Sequence, residues 1–255
     1  SPFPYRIDCT GKRPISFRGE RLRVGPTLAP ESGIITGKIA KAGTVRVTLF
    51  ATHAFGRTER NFRIEVGNKL ALTPPMGWNS WYIYLHHVTQ ADMRKAADEM
   101  IASGMADYGY QYVNIDDCWA RQPGLTNNSE VGEPVRAADG QILPNQRFPD
   151  IKAMTDYIHA KGLKVGIYSS PGPKTCAGFE GSWQHEAQDA RTFADWGFDF
   201  LKYDWCSYGK IFRAGDPRLT NTVSAAAAKG LAGYKFPYEL MARELRKQNR
   251  DIVFN

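Results

Sequence analysis

The sequence predicts an α/β fold: a parallel sheet built from strand–helix units, with a small antiparallel β-sandwich ahead of it. Three observations carry this. From Thr73 onward, short apolar runs alternate with stretches of helical period, as βα units require. Between Ile15 and Val66, β-prone runs alternate instead with turn residues, the pattern of hairpins and sandwiches. The 255 residues are 42% hydrophobic and 12% aromatic, enough for one large domain or two smaller ones with a real core.

Several function classes are excluded at this level. No apolar run approaches the roughly 18 residues of a membrane span, and no charged segment followed by an apolar one opens the chain. Ser1 reads as a cut or mature end. The formal charge of +7 comes from scattered basic residues without a nucleic-acid-binding motif, so it reads as a solvated surface and no nucleic acid is expected.

In residues 1–70 the expected strands are RLRV (21–24), GIITG (33–37), GTVRVTLFAT (43–52) and NFRIEV (61–66). Val45, Val47, Leu49 and Ala51 alternate cleanly, which gives one buried and one wet face. Little before Pro14 offers a first strand. Thr73-Pro74-Pro75 stiffens the join to the second domain, residues 71–255. There a first strand is expected near 77–79. Thr89 with Asp92 caps a helix that buries Met93, Ala96, Ala97, Met100 and Ile101 and stops at Gly104. Strands follow at 112–117, 164–169 and 198–206, with helices at 150–160 and 186–196, then a helix at 238–248 and a fifth strand at 251–255. The loop at 118–147 is long enough to be a functional wall. About 180 residues thus hold five strands, whereas a (β/α)8 TIM barrel takes roughly 250. The barrel is expected to be truncated after about five strands.

The chemistry gathers at strand ends. Asp116 and Asp117 end the second strand, Tyr168 the third, Lys202 and Asp204 the fourth, and in a barrel all of these line the C-terminal mouth. Lys202 lies two positions before Asp204, on the same face of the pleat, where a cation favours an ionised carboxylate suited to act as a nucleophile. The alternative is a structural ion pair. Trp78 and Trp81 lie in or just after the first strand, where an indole packs either on a sugar's C–H face or in the core. Acidic acceptors flanked by flat apolar rings are what a carbohydrate site needs.

The blocks TPPMGWNSW (73–81), IDDCW (115–119), RFP (147–149), KGLKVGIY (161–168), KTCAGF (174–179), FADWG (193–197) and LKYD (201–204) resemble, in order, the α-galactosidase (melibiase) family, glycoside hydrolase family 27. That resemblance implies a retaining exo-glycosidase on a (β/α)8 barrel, acting on terminal α-galactosyl groups of oligo- or polysaccharides. It implies Asp204 as nucleophile, Lys202, Asp116 and Asp117 as binders of sugar hydroxyls, and Trp81 and Tyr168 flanking the ring. Trp78 then belongs to the pocket floor or the scaffold. The acid/base of this family comes from a later strand and is expected beyond Asn255, so the 255-residue stretch alone is expected to be inactive. Related readings are an α-N-acetylgalactosaminidase, a β-L-arabinopyranosidase or a non-catalytic galactoside-binding protein.

The resemblance also implies a disulfide between Cys176 and Cys206; the alternative is two buried thiols. Cys118 departs from the family's animal members, since YIYLHH (82–87) offers it no cysteine, and Cys9 has no evident partner. No zinc-like spacing occurs among the four cysteines and five histidines, so no metal or other cofactor is expected, and His86-His87 reads as a surface pair. Residues 12–67 resemble the immunoglobulin-like domains of bacterial secreted enzymes, which implies a packing or spacing role, or less directly sugar binding, and a secreted or periplasmic location.

Overall fold

The computed structural model describes residues 2, 4–22, 25–220 and 223–255. They form two compact units, one of Ser1–Trp78, Arg94–Val113 and Asp156–Lys164, the other of Asn79–Met93, Asn114–Thr155 and Val165–Asn255.

The first unit opens with six strands: β1 (Tyr5–Arg6), β2 (Ser16–Glu20), β3 (Thr27–Leu28), β4 (Ile34–Thr36), β5 (Gly43–His53) and β6 (Gly56–Val66). They make two antiparallel sheets, ordered β1-β4-β3 and β2-β5-β6. The alternation along β5 has its expected consequence. Val47 and Leu49 are buried and join Ile7, Ile15, Phe17, Ile35 and Ile64 in one apolar cluster drawn from both sheets. On the other face of β5, Phe50 is covered by the guanidinium groups of Arg18 and Arg57, 4.7 and 4.1 Å from its ring centre.

A strand does precede Pro14: Tyr5 pairs with Ile35 and stacks on Phe62 at 4.7 Å. The partner of β5 is also longer than expected, beginning at Gly56, because the polar run 56–60 continues the register from His53↔Gly56. Of the expected strand at 21–24, Arg23 and Val24 lie outside the described residues, and Arg21 has φ +69°, which breaks an extended backbone.

Five more strands, β7 (Gly77–Asn79), β8 (Tyr112–Asn114), β9 (Lys164–Ser169), β10 (Phe200–Tyr203) and β11 (Val253–Phe254), form one sheet in chain order. The β9–β10 and β10–β11 pairs are parallel. Sequential parallel strands joined through helices fit an arc of a (β/α)8 barrel. Eight α-helices accompany them among the described residues: α1 (Trp81–Tyr84), α2 (Gln90–Ala102), α3 (Ile151–Ala160), α4 (Glu186–Trp196), α5 (Tyr208–Ala214), α6 (Pro217–Thr220), α7 (Ala225–Ala228) and α8 (Leu231–Arg246).

Local chemistry sets these limits. The Asp92 carboxylate accepts from the Thr89 backbone N–H at 2.9 Å, while Thr89 Oγ1 accepts from the Asp92 N–H at 3.2 Å, a reciprocal capping box. Along α2, Met93, Ala97 and Met100 are buried, with Ala96 and Ile101 half-buried. Helix α4 stops at Gly197, whose φ of +94° is the left-handed cap a glycine allows. Between the expected strand at 198–206 and the expected helix at 238–248 the described residues are mostly helical, and α8 begins seven residues ahead of the expected Tyr238 and runs through Pro237. Among the described residues no helix is long and apolar enough to cross a membrane.

Candidate active site

The expected residues of the second unit meet at the ends of β8, β9 and β10. Asp116 is 3% exposed. Its Oδ2 accepts from Asn79 Nδ2 and from Lys202 Nζ, each at 2.8 Å, and its Oδ1 from the Asp117 N–H at 2.9 Å. Lys202 is therefore paired with Asp116 rather than with Asp204. Asp204 continues the register of β10, its N–H donating to the Ser169 carbonyl at 3.1 Å, yet it is Asp116 that the Lys202 ammonium reaches.

Asp117 lies beside it, equally buried, accepting from the backbone N–H groups of Cys118 at 2.7 Å and Ala177 at 2.8 Å. Burial raises its pKa most strongly. The donors, Thr175 among them, pull the other way, and the charge of Asp116 adds to the rise. No helix starts at this pair, so neither aspartate caps one.

Tyr168 approaches Asp204 from β9. Its hydroxyl donates to Asp204 Oδ2 at 3.3 Å and lies 3.2 Å from Cys206 Sγ, and Lys202 Nζ sits 4.9 Å from its ring centre. Burial first, and then the charges of Asp117, Asp204 and Asp116, drive the phenol pKa well above its usual value, so Tyr168 is a neutral donor. Its backbone is held by Trp119, whose Nε1 donates to the Tyr168 carbonyl at 2.8 Å. Trp119 is itself buried edge-on against Phe193 and Trp196.

Cys176 and Cys206 form a disulfide beside Asp204, with Cys176 Sγ 4.0 Å from Asp204 Oδ2. Cys176, Asp204 and Cys206 thus cluster tightly, but both sulfurs are spent on each other and offer no thiolate to a metal. Cys9 and Cys118 are free thiols. Cys118 is buried, has φ +76° and lies 3.8 Å from His86 Nδ1; desolvation, then the Asp117 charge, pushes its pKa up to about 12.

Trp81 opens α1, half-buried, with the His86 ring edge-on at 5.8 Å. Two residues not singled out from sequence hold this corner. Asn79 Oδ1 accepts from the Trp81 N–H at 2.9 Å while its amide reaches Asp116, and buried Ser80 Oγ accepts from the Asp116 N–H at 3.0 Å. Their only sequence signal was their place between Trp78 and Trp81.

Residues 73–249 match the family described as alpha galactosidase A, a melibiase family. The alpha-galactosidase of rice, Oryza sativa subsp. japonica, is 43% identical over 184 residues, 71% of this chain and 39% of that protein. Alpha-galactosidase A of Cellvibrio japonicus is 50% identical over 140 residues, 54% of this chain and 31% of that protein. A solved structure from Bacteroides fragilis, of a candidate alpha-galactosidase, superposes with a TM-score of 0.84 at 38% identity, covering 99% of this chain and 48% of that one.

The chain belongs to the alpha galactosidase A family. It spans well under half the length of these two curated relatives.

Proposed function

We propose that the protein carrying this chain is a retaining glycosidase that removes terminal α-galactosyl groups, with Asp204 as its nucleophile. The observation that supports this most is the setting of Asp204, which receives a neutral phenol donor from Tyr168, a ring whose centre is 4.9 Å from the Lys202 ammonium, and lies beside the Cys176–Cys206 bridge. Asp204 attacks the anomeric carbon as the glycosidic C–O bond breaks, and the departing oxygen takes a proton from a second carboxylic acid. That acid, as its conjugate base, then draws a proton from water, which attacks the same carbon and frees Asp204. Asp116 and Asp117 accept hydrogen bonds from sugar hydroxyls, Lys202 donates one, and Trp81 and Tyr168 flank the ring. The acid/base is a carboxyl group other than these three.

Residues 1–70 serve this enzyme as an immunoglobulin-like domain for packing or spacing, supported by the two antiparallel sheets and their shared core. A disulfide beside the nucleophile favours a secreted or periplasmic location.

The test is to incubate the protein with an activated galactoside and look by mass spectrometry for a glycosyl label on the peptide containing Asp204. The label should vanish in Asp204→Asn, with turnover falling by about 10⁴ or more. Absence of both label and turnover, with galactose still bound, would show a binding protein instead.

A further inference from the structure

The segment 174–180 after β9 folds back on itself as a hairpin. Lys174 and Glu180 bridge antiparallel, and the Thr175 N–H donates to the Phe179 carbonyl at 2.8 Å. Its tip carries both Cys176, in the bridge beside Asp204, and Ala177, whose N–H is one of the donors to Asp117. The placement of this tip therefore sets two of the groups at the site.

What anchors the other end of the hairpin is Arg136, a residue of the long 118–147 segment. Its guanidinium has five N–H donors in a planar fork, and all five are engaged. Nε donates to Glu180 Oε1 at 2.6 Å, Nη1 to the Gly140 carbonyl at 3.0 Å and Asp189 Oδ1 at 2.7 Å, and Nη2 to the Gly181 carbonyl at 2.8 Å and Asp189 Oδ2 at 3.0 Å. The Arg136 side chain is only 9% exposed and that of Asp189 is fully buried. One cation thus ties the 118–147 segment, the end of the hairpin and helix α4 together. A lysine cannot reproduce this, since an ammonium offers three donors and no fork.

We infer that Arg136 is a positioning residue for the glycosidase reaction, holding the hairpin 174–180 so that its tip presents the Ala177 N–H to Asp117. The inference rests on the reading of Asp117 as a binder of sugar hydroxyls. Its link to chemistry is electrostatic as well as geometric. Asp117 is surrounded by Asp116, Cys118, Tyr168, Thr175 and the Ala177 N–H; burial, with the Asp116 charge behind it, raises its pKa against the pull of the Ala177, Thr175 and Cys118 donors. A hairpin that drifts weakens two of those donors, Ala177 and Thr175, and so favours the protonated carboxyl, which accepts fewer hydrogen bonds from a sugar.

The experiment compares wild type, Arg136→Lys, Glu180→Gln and Asp117→Asn in the protein that carries this chain, measuring kcat and KM on an aryl α-galactoside across pH, with thermal unfolding in parallel. Arg136→Lys should lower kcat/KM about tenfold, chiefly through KM, and move the acid limb of the kcat/KM profile to higher pH. Glu180→Gln, which removes a charge but retains an acceptor for Nε, should do the same more weakly. A drop in unfolding temperature with KM and the acid limb unmoved overturns the inference, because that is what a purely structural clamp would do. If Arg136→Lys fails to fold, Glu180→Gln decides alone by the same criteria. Asp117→Asn separates the two claims: an unchanged KM there refutes the binding role of Asp117 and the inference with it, whereas a raised KM there beside an unchanged one in the folded clamp variants refutes the inference only.

Discussion

The Lys202 ammonium reaches Asp116 Oδ2 at 2.8 Å, joining the end of β10 to the residues that follow β8. Asp116 is nearly inaccessible while the Lys202 side chain is 38% exposed, so one partner is anchored and the other keeps donors free for a ligand. Lys202→Met should remove both the pair and a sugar contact. The expected loss in kcat/KM is roughly 10- to 100-fold, the size of a hydrogen bond to a charged group, and steady-state kinetics on an aryl galactoside measures it.

The Cys176–Cys206 bridge spans a sequence separation of 30. By chain entropy a loop of that size is worth about 3–4 kcal/mol. Replacing both cysteines by serine should lower the unfolding free energy by about that amount in urea titrations, and reductant should destabilise wild type but not the double variant.

Cys118 should be chemically silent. With its pKa pushed up to about 12, its thiolate fraction at pH 8 falls on the order of 10³-fold below that of a free thiol, and burial blocks access besides. Iodoacetamide at pH 8 should therefore leave Cys118 unlabelled in the folded protein and label it in denaturant, as peptide mapping will show.

Asp216 supplies a pH signature. Burial alone would raise its carboxyl pKa, but the hydrogen bonds from Arg218 at 2.6 Å and Tyr208 at 2.8 Å outweigh this and hold it below the usual value. A depressed folded value means that the stability is complete above the unfolded pKa of about 3.9 and is lost as pH falls through the folded one. Asp216→Asn should cost about 2–3 kcal/mol at pH 7, with the difference from wild type shrinking below about pH 4; urea unfolding at pH 7 and pH 3 tests both.

What could be read from sequence followed the strength of the local signal. Strand β9 and helix α4 lie where expected to the residue, because a continuous apolar run and a glycine cap leave little choice. Strand β1 escaped notice since two residues show no alternation. Pro237 disguised the start of α8: a proline withdraws a backbone donor and usually marks a boundary, yet here Pro237 is buried within the helix. Asp116, Asp117, Tyr168 and Lys202 were visible as strand-end residues. Their partners were not, for a contact such as Lys202 with Asp116 spans 86 positions and leaves no periodic trace. Arg136 was hidden for the same reason, lying in a segment legible only as long.

The four cysteines also bear on how the protein is made. Cys176 and Cys206 must find each other, and of the remaining two, Cys118 is buried while Cys9 is partly accessible. Within these 255 residues, oxidative folding therefore has one main competitor for mispairing once the interior has formed. Among these four, Cys9→Ser removes that competitor at a position outside the proposed catalytic pocket, whereas a change at Cys118 removes none.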